Sequence, residues 1–254
     1  VPQLRDHLKL QQSLALAGEV QAELLPQEPP DFPGLDLAGR NLSYEQIGGD
    51  YFDFIDLRPW GDERMAITVG DICGHGIAAA MLMATARAHV RSRAQPLPDL
   101  GTLLSEINRR LAADLGTEKF MTLGFYVFDP ARHAVAWASA GQDAAFHYRS
   151  ATGEIVEEAA KGVPLGVLDD WDYVARSRDD LASGDVFLLG TDGIWEARNA
   201  QKEEFGKERV RDLLRRHHDR GARELLDILL DAVEAFRGDL PRQDDVTLVV
   251  AKVV

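Results

Sequence analysis

The spacing of apolar positions changes several times along the chain, and each change marks an element. Between Leu4 and Leu25 the residues Leu10, Leu14, Ala17, Gln21 and Leu24 fall at alternating intervals of four and three, which predicts a helix closed by Pro26. That spacing suits the seam of a short coiled coil, interrupted at Gln21, and equally a helix lying on its own domain. Gln27 to Gly34 carries three prolines and reads as a linker. Past it come short strands, at Asp50–Leu57 and Met65–Val69, separated by a turn around Trp60-Gly61-Asp62. Helical periodicity returns over Ile77–Arg93 and Leu100–Leu115, the latter with Leu100, Leu103, Leu104, Ile107 and Leu111 on one face. Met121–Phe128, Ala134–Ser139 and Ala144–Arg149, joined by turn signals at Asp129-Pro130 and Gly141, predict an antiparallel meander. The apolar strand Val186–Leu189, helices near Lys207–His218 and Ala222–Phe236, and a last strand Val246–Val253 complete the pattern. Strand clusters alternating with helix pairs predict an α+β domain of layered antiparallel sheets rather than a βαβ fold.

Composition narrows the function classes. A hydrophobic content of 45% over 254 residues is enough for a buried core. The most apolar helical run, Ile77 to Ala86, is far short of a membrane span, and no secretory leader pattern is present, so no membrane insertion is expected. The single cysteine, Cys73, excludes an internal disulfide and a thiolate zinc cluster, and favours a cytoplasmic location. A net charge of −14 argues against nucleic acid as a partner. Arg87, His89, Arg91 and Arg93 come nearest to a basic patch, but their spacing spreads them around a helix as a solvated face. The chain begins with Val, as expected of a piece of something longer.

The acidity instead directs attention to where the carboxylates sit. Four segments place an Asp beside glycine or at a strand end: Gly48-Gly49-Asp50, Val69-Gly70-Asp71-Ile72-Cys73-Gly74-His75-Gly76, Leu189-Gly190-Thr191-Asp192-Gly193 and Gln243-Asp244-Asp245-Val246-Thr247. One Asp-Gly alone is usually a turn. The second segment, with three glycines and a His around an Asp between strand and helix, exceeds what reversing the chain requires. Its spacing fits neither nucleotide-loop pattern. Carboxylates gathered with few imidazoles or thiolates favour hard cations such as Mg²⁺ or Mn²⁺.

These segments, with Tyr51-Phe52-Asp53 after the first, Lys161-Gly162-Val163-Pro164-Leu165-Gly166, Ile194-Trp195-Glu196-Ala197 and Asp244-Asp245-Val246-Thr247-Leu248, resemble the PPM phosphatases, specifically the bacterial SpoIIE/RsbU branch. They occur in the family's order from about residue 40 to the C-terminus, and Leu24-Leu25-Pro26 is similar to its lead-in from a signalling helix. The resemblance implies two packed antiparallel sheets flanked by helix pairs, with residues 1–26 as a signalling helix and 27–254 as the phosphatase domain. It implies two Mn²⁺ or Mg²⁺ ions ligated by Asp71, Asp192 and Asp244, with Asp71 bridging both, the carbonyl of Ile72 completing one site and Asp50 acting directly or through water. Of the adjacent pair, Asp244 is preferred to Asp245 as the ligand, because neighbouring strand residues point to opposite faces; Asp53 is left unassigned. Asp50, Asp71 and His75 are the expected catalytic residues, His75 either as general acid or as a brace for the glycine loop.

The implied reaction is hydrolysis of phosphoserine or phosphothreonine on a protein, with a phosphorylated anti-anti-sigma (STAS-domain) regulator as the expected partner and the N-terminal helix as the candidate surface for a homodimer. A silent phosphoprotein-docking module of the same fold and a small phosphate-ester hydrolase are the alternatives. The chain departs from the family at Ala140-Gly141-Gln142-Asp143-Ala144, where relatives carry His-Asn-Pro or His-Pro-Pro after the glycine. No arginine is assignable to substrate phosphate, and Cys73, read as a small buried filler, stands where a small residue such as Ser is usual.

Overall fold

The computed structural model describes residues 2–116 and 119–254; the side chains of residues 2–8, 10 and 115, and so that of Leu10 in the N-terminal pattern, lie outside the description. Helix α1 (Pro2–Leu24) precedes strands β1 (Leu35–Leu42), β2 (Tyr51–Asp56) and β3 (Met65–Ile72). Helices α2 (Gly76–Arg93) and α3 (Leu100–Leu115) lead to β4 (Met121–Asp129), β5 (Ala134–Ala140), β6 (Ala145–Arg149), β7 (Glu154–Glu158), β8 (Arg176–Arg178) and β9 (Val186–Gly190). Helices α4 (Gly206–His217) and α5 (Ala222–Arg237) and strand β10 (Val246–Val253) end the chain.

The strands form two antiparallel five-stranded sheets, ordered β1-β10-β9-β6-β7 and β2-β3-β4-β5-β8. Alternating apolar residues from both sheets meet between them; Phe128 of β4 meets Phe187 of β9 edge to face at 5.0 Å. The outer face of the second sheet is covered by α2 and α3 through Met83, Val90, Leu103, Leu104 and Ile107, all fully buried. Leu214 of α4 and Leu225, Leu226 and Leu229 of α5 cover the outer face of the first. The result is the expected α+β arrangement of two packed antiparallel sheets flanked by helix pairs.

The meander is corrected. β4 and β5 pair as expected, but β6 leaves them and pairs with β9 and β7 in the opposite sheet. Gly141 turns the chain at φ +73°, a conformation in which a Cβ is disfavoured, and the chain crosses the sandwich there. Strands β1, β7 and β8 were not anticipated. In β7 the mixed sequence Glu154-Ile155-Val156-Glu157-Glu158 has an apolar core of only two residues, and β8 is charged and three residues long.

Helix α1 lies on its own domain. Gly18 packs against the carbonyl of Gln46, where a Cβ would come within 2.2 Å of the oxygen. The Gln21 amide donates to the Gly48 carbonyl at 2.7 Å and accepts from the Gly48 N–H at 3.0 Å. Gln21, the interruption in the seam, is thus the residue that docks the helix. The basic side chains of α2 are mostly engaged within the molecule: Arg91 forms two hydrogen bonds to the fully buried Asp53, at 2.6 and 2.7 Å, Arg93 pairs with Glu106, and His89 lies 2.8 Å from Asp114.

Candidate metal centre

Strand pairing brings the four acidic segments to one edge of the sandwich. Tyr51 stands opposite Gly70 in one sheet and Leu248 opposite Gly190 in the other. The starts of β2 and β10 thereby meet the ends of β3 and β9. Hydrogen bonds across the sheets fix the two halves together. The buried Asp50 Oδ2 accepts from Thr191 Oγ1 at 2.8 Å and from Thr247 Oγ1 at 2.6 Å. Thr247 N in turn donates to Thr191 Oγ1 at 3.0 Å, and Asn41 Nδ2 donates to Thr247 Oγ1 at 2.8 Å.

Asp245 has a different task from its neighbour. It is 7% exposed, and its carboxylate accepts from the N–H of Tyr44 and of Gly49, each at 2.7 Å. It holds the loop before β2 in place. A Cβ at Gly48 would lie 2.2 Å from Asp245 Oδ2, so the loop can approach this carboxylate only as glycine. Asp244 is exposed at the edge. Asp53, on β2, points into the α2 layer and is neutralised by Arg91, away from the rim.

The rim carboxylates act on one another. Burial, reinforced by the charges of Asp192, Asp244 and Asp245, pushes Asp71 up to about 7. Burial and the charge of Asp71 hold Asp50 well above the usual carboxylate range. Asp192 is raised by burial and by Asp143, and Asp244 by burial, with Asp192 and Asp245 adding to it. This repulsion is what a cation would relieve: a carboxylate raised by burial and by its acidic neighbours sits where positive charge is favoured. Gly49 adds a cradle. A Cβ there would lie 2.7 Å from the Ile72 carbonyl oxygen and 3.1 Å from Asp71 Oδ1. The donors are therefore all oxygen, which suits Mg²⁺ or Mn²⁺. Among the described residues no three His, Cys, Asp or Glu side chains are drawn into a ready-made cage. The rim is open, as expected for hard cations that keep several waters and take one or two carboxylates each.

His75 occupies the N-cap position of α2 in extended conformation without a capping side-chain bond. Its ring is 74% exposed, 3.6 Å from Glu45, and close enough to Asp244 to favour that residue's charged form. Cys73, half-buried rather than buried, accepts from the Phe120 N–H at 3.2 Å through Sγ.

Two polar residues that sequence reasoning passed over tie the rim together. Gln142 accepts from Thr122 Oγ1 at 2.8 Å and donates to the Gly190 carbonyl at 2.9 Å. Thr122 Oγ1 also accepts from the Asp71 N–H at 3.3 Å. One amide thus spans from the Asp71 strand to the strand leading into Asp192. Asp143, next along, pairs with Lys207 at 2.8 Å. The signal for both was the departure from His-Asn-Pro; their contacts depend on the crossover at Gly141, which has no local signature.

The family model described as Stage II sporulation protein E (SpoIIE) matches residues 61–254. The phosphoserine phosphatase RsbU of Bacillus subtilis (strain 168) is 26% identical over 248 residues, covering 96% of this chain and 71% of RsbU. The SiaA-PP2C domain of Pseudomonas aeruginosa superposes with a TM-score of 0.83 at 23% identity, over 98% of this chain and 99% of that one. The catalytic domain of the serine/threonine protein phosphatase PstP, solved with two manganese ions, gives a TM-score of 0.62 at 18% identity, over 87% and 98% of the two chains.

Proposed function

Since the chain belongs to the SpoIIE family, we propose that it is a metal-dependent protein-serine/threonine phosphatase of bacterial signalling. The observation that carries this reading is the convergence of the Asp50, Asp71, Asp192 and Asp244 segments at one edge of the two sheets, beside the glycine-lined Ile72 carbonyl. In this reading Asp71, Asp192, Asp244 and the Ile72 carbonyl would hold Mn²⁺ or Mg²⁺, two ions in the expected arrangement with Asp71 shared between them, and Asp50 would assist directly or through water. When bound, such ions activate water near neutral pH and offset charge on the phosphoryl oxygens during in-line displacement.

The chain's own residues do the rest. Thr191 and Thr247 orient Asp50. Asp245 fixes the Gly48-Gly49 loop so that the Ile72 carbonyl stays uncovered. In this reading His75, exposed near Asp244, either gives a proton to the departing seryl oxygen or braces the glycine loop. Residues 1–26 serve as the signal-input helix and 27–254 as the catalytic domain. The substrate is a phosphorylated STAS-domain regulator, a reading supported by likeness to a phosphoserine phosphatase over 96% of the chain.

The test uses chelator-stripped protein and a phosphoserine protein substrate. Mn²⁺ or Mg²⁺ should restore hydrolysis, and Asp71→Asn or Asp192→Asn should lower it by at least about a hundredfold, since each removes several kcal/mol of charge stabilisation. Near-ultraviolet circular dichroism should be unchanged. Full activity in excess chelator, or in either variant, overturns the proposal.

A further inference from the structure

The Lys161–Gly166 segment leads into an exposed loop that the candidate metal centre does not use. Leu165 is fully buried and exchanges two backbone hydrogen bonds with Met121, at 3.0 and 2.8 Å, one strand over from Ile72. Beyond it the chain carries no helix or strand until β8. Val167, Leu168, Trp171 and Val174 are all exposed there, Val174 the most at 64%. Four of the twelve exposed large apolar side chains among the described residues thus fall within eight consecutive positions. This is a local concentration, unlike the scattered single residues that any surface carries.

The backbone that displays them is held from below. Asn108 of α3, fully buried, accepts from the Gly166 N–H at 2.8 Å and donates to the carbonyls of Leu168 at 2.7 Å and Asp169 at 3.2 Å. Tyr173 is buried, and its hydroxyl donates to the Val163 carbonyl at 2.9 Å. Gly101 lets the start of α3 approach the Tyr173 carbonyl, where a Cβ would lie 2.4 Å from the oxygen. A buried amide whose hydrogen bonds are all met by one loop fixes that loop. The apolar side chains are therefore kept in water on a set backbone, and a surface prepared in this way gives up little conformational entropy when covered.

Asp169, Asp170 and Asp172 stand among these side chains, all three exposed. None lies within ion-pair distance of a cation among the described residues; Lys161 and Arg176 along the chain, and Arg109 on α3, reach none of them. Apolar side chains interspersed with unpaired carboxylates match a partner in which apolar residues sit beside Lys or Arg. An anionic lipid surface is disfavoured by the same three charges and by the net charge of −14.

We infer that the loop of residues 166–174 is a docking surface for a polypeptide partner whose contact segment combines apolar side chains with Lys or Arg. Its four apolar side chains form the body of the contact, and its three aspartates select the charge of the partner. None of these side chains belongs to the candidate metal centre, so the inference goes beyond the phosphatase reading and does not depend on it.

The experiment selects a displayed library of random peptides on the full chain at about 150 mM salt, and the enriched sequences are then synthesised. They should combine apolar residues with Lys or Arg, and on binding should slow amide exchange within residues 166–174. The variant Val167→Ser/Leu168→Ser/Val174→Ser should weaken them by about tenfold or more in fluorescence anisotropy, as loss of interface anchors does. Asp169→Asn/Asp170→Asn/Asp172→Asn should weaken them by about threefold and remove most of the salt dependence. Asn108, Leu165 and Tyr173 stay in place, so near-ultraviolet circular dichroism should be unchanged. If the triple serine variant melts early, Val174→Ser alone replaces it, with a loss of about threefold expected. Vesicles of phosphatidylglycerol and phosphatidylcholine, titrated alongside, should not bind. The inference is overturned if no peptide is enriched, if the enriched peptides lack Lys and Arg, if the variants bind them as tightly as the unmodified protein, or if the loop binds the vesicles instead.

Discussion

Gln142 follows Gly141, and its amide supplies one donor and one acceptor, as a neutral imidazole can also do. The Gly190 carbonyl requires a donor, which fixes the amide orientation and turns its oxygen to Thr122. A Cβ at Gly124 would lie 3.3 Å from Gln142 Cγ, so the strand beneath is bare to receive the side chain. Since Thr122 also holds the Asp71 N–H, Gln142 sets the separation between the Asp71 and Asp192 segments. Outer-shell partners of this kind commonly contribute tenfold to a hundredfold in metal affinity. Gln142→Ala should therefore weaken Mn²⁺ binding by about tenfold in calorimetric titration, while Gln142→His retains most of the affinity. Equal binding by the alanine variant would remove Gln142 from the metal site.

Helix α1 meets the rest of the chain at the loop that carries Gly48, Gly49 and Asp50. Gln21 holds both backbone groups of Gly48, and Asp245 holds the N–H of Gly49, so one short loop is gripped from the N-terminal helix and from the start of β10. Leu16 and Val20 remain exposed on the outer side of the helix. Gln21→Ala deletes two hydrogen bonds to a part-buried backbone, costing about 1–2 kcal/mol. The expected outcome is faster amide exchange at Gly48 and Gly49 and earlier protease cleavage after α1, with exchange in β3 and β4 unaltered. Unchanged protection at Gly48 would mean that the helix does not brace the loop.

Charge distribution gives the whole molecule its pH response. Asp71, raised to about 7 by burial and by its acidic neighbours, stabilises the fold fully below its unfolded value and loses that contribution as pH rises through about 7. His147, buried across the sandwich, changes stability in the same direction. Burial opposes its charge, but hydrogen bonds to Asp185 and Glu158 prevail and raise it, so its contribution also disappears as pH rises through its folded value. Asp185, despite burial, is lowered to about 2 by His147 and backbone donors; its contribution is present above the ordinary Asp range and is lost only toward pH 2. Between pH 5 and 8 the cation-free protein should therefore melt at progressively lower temperature. Saturating Mn²⁺ should flatten the Asp71 share of that slope and leave the His147 share. Parallel slopes with and without Mn²⁺ would show that no cation reaches Asp71.

Residue order alone determined a good deal of this protein. The periodicities of α2, α3, α4 and α5 and the apolar runs of β9 and β10 are local properties, and they survived folding nearly unchanged. The glycine-flanked aspartates were legible because the backbone near an ion needs both a carboxylate and the absence of a Cβ. Tertiary structure decided which sheet each strand joins, as at Gly141, where one positive φ sends β6 across the sandwich and defeats the expected meander. It also decided how similar residues divide their tasks. Asp245 anchors a loop and Asp53 is consumed by Arg91, while Asp244 stays at the rim; the difference is made by donors from remote parts of the chain, which spacing does not encode.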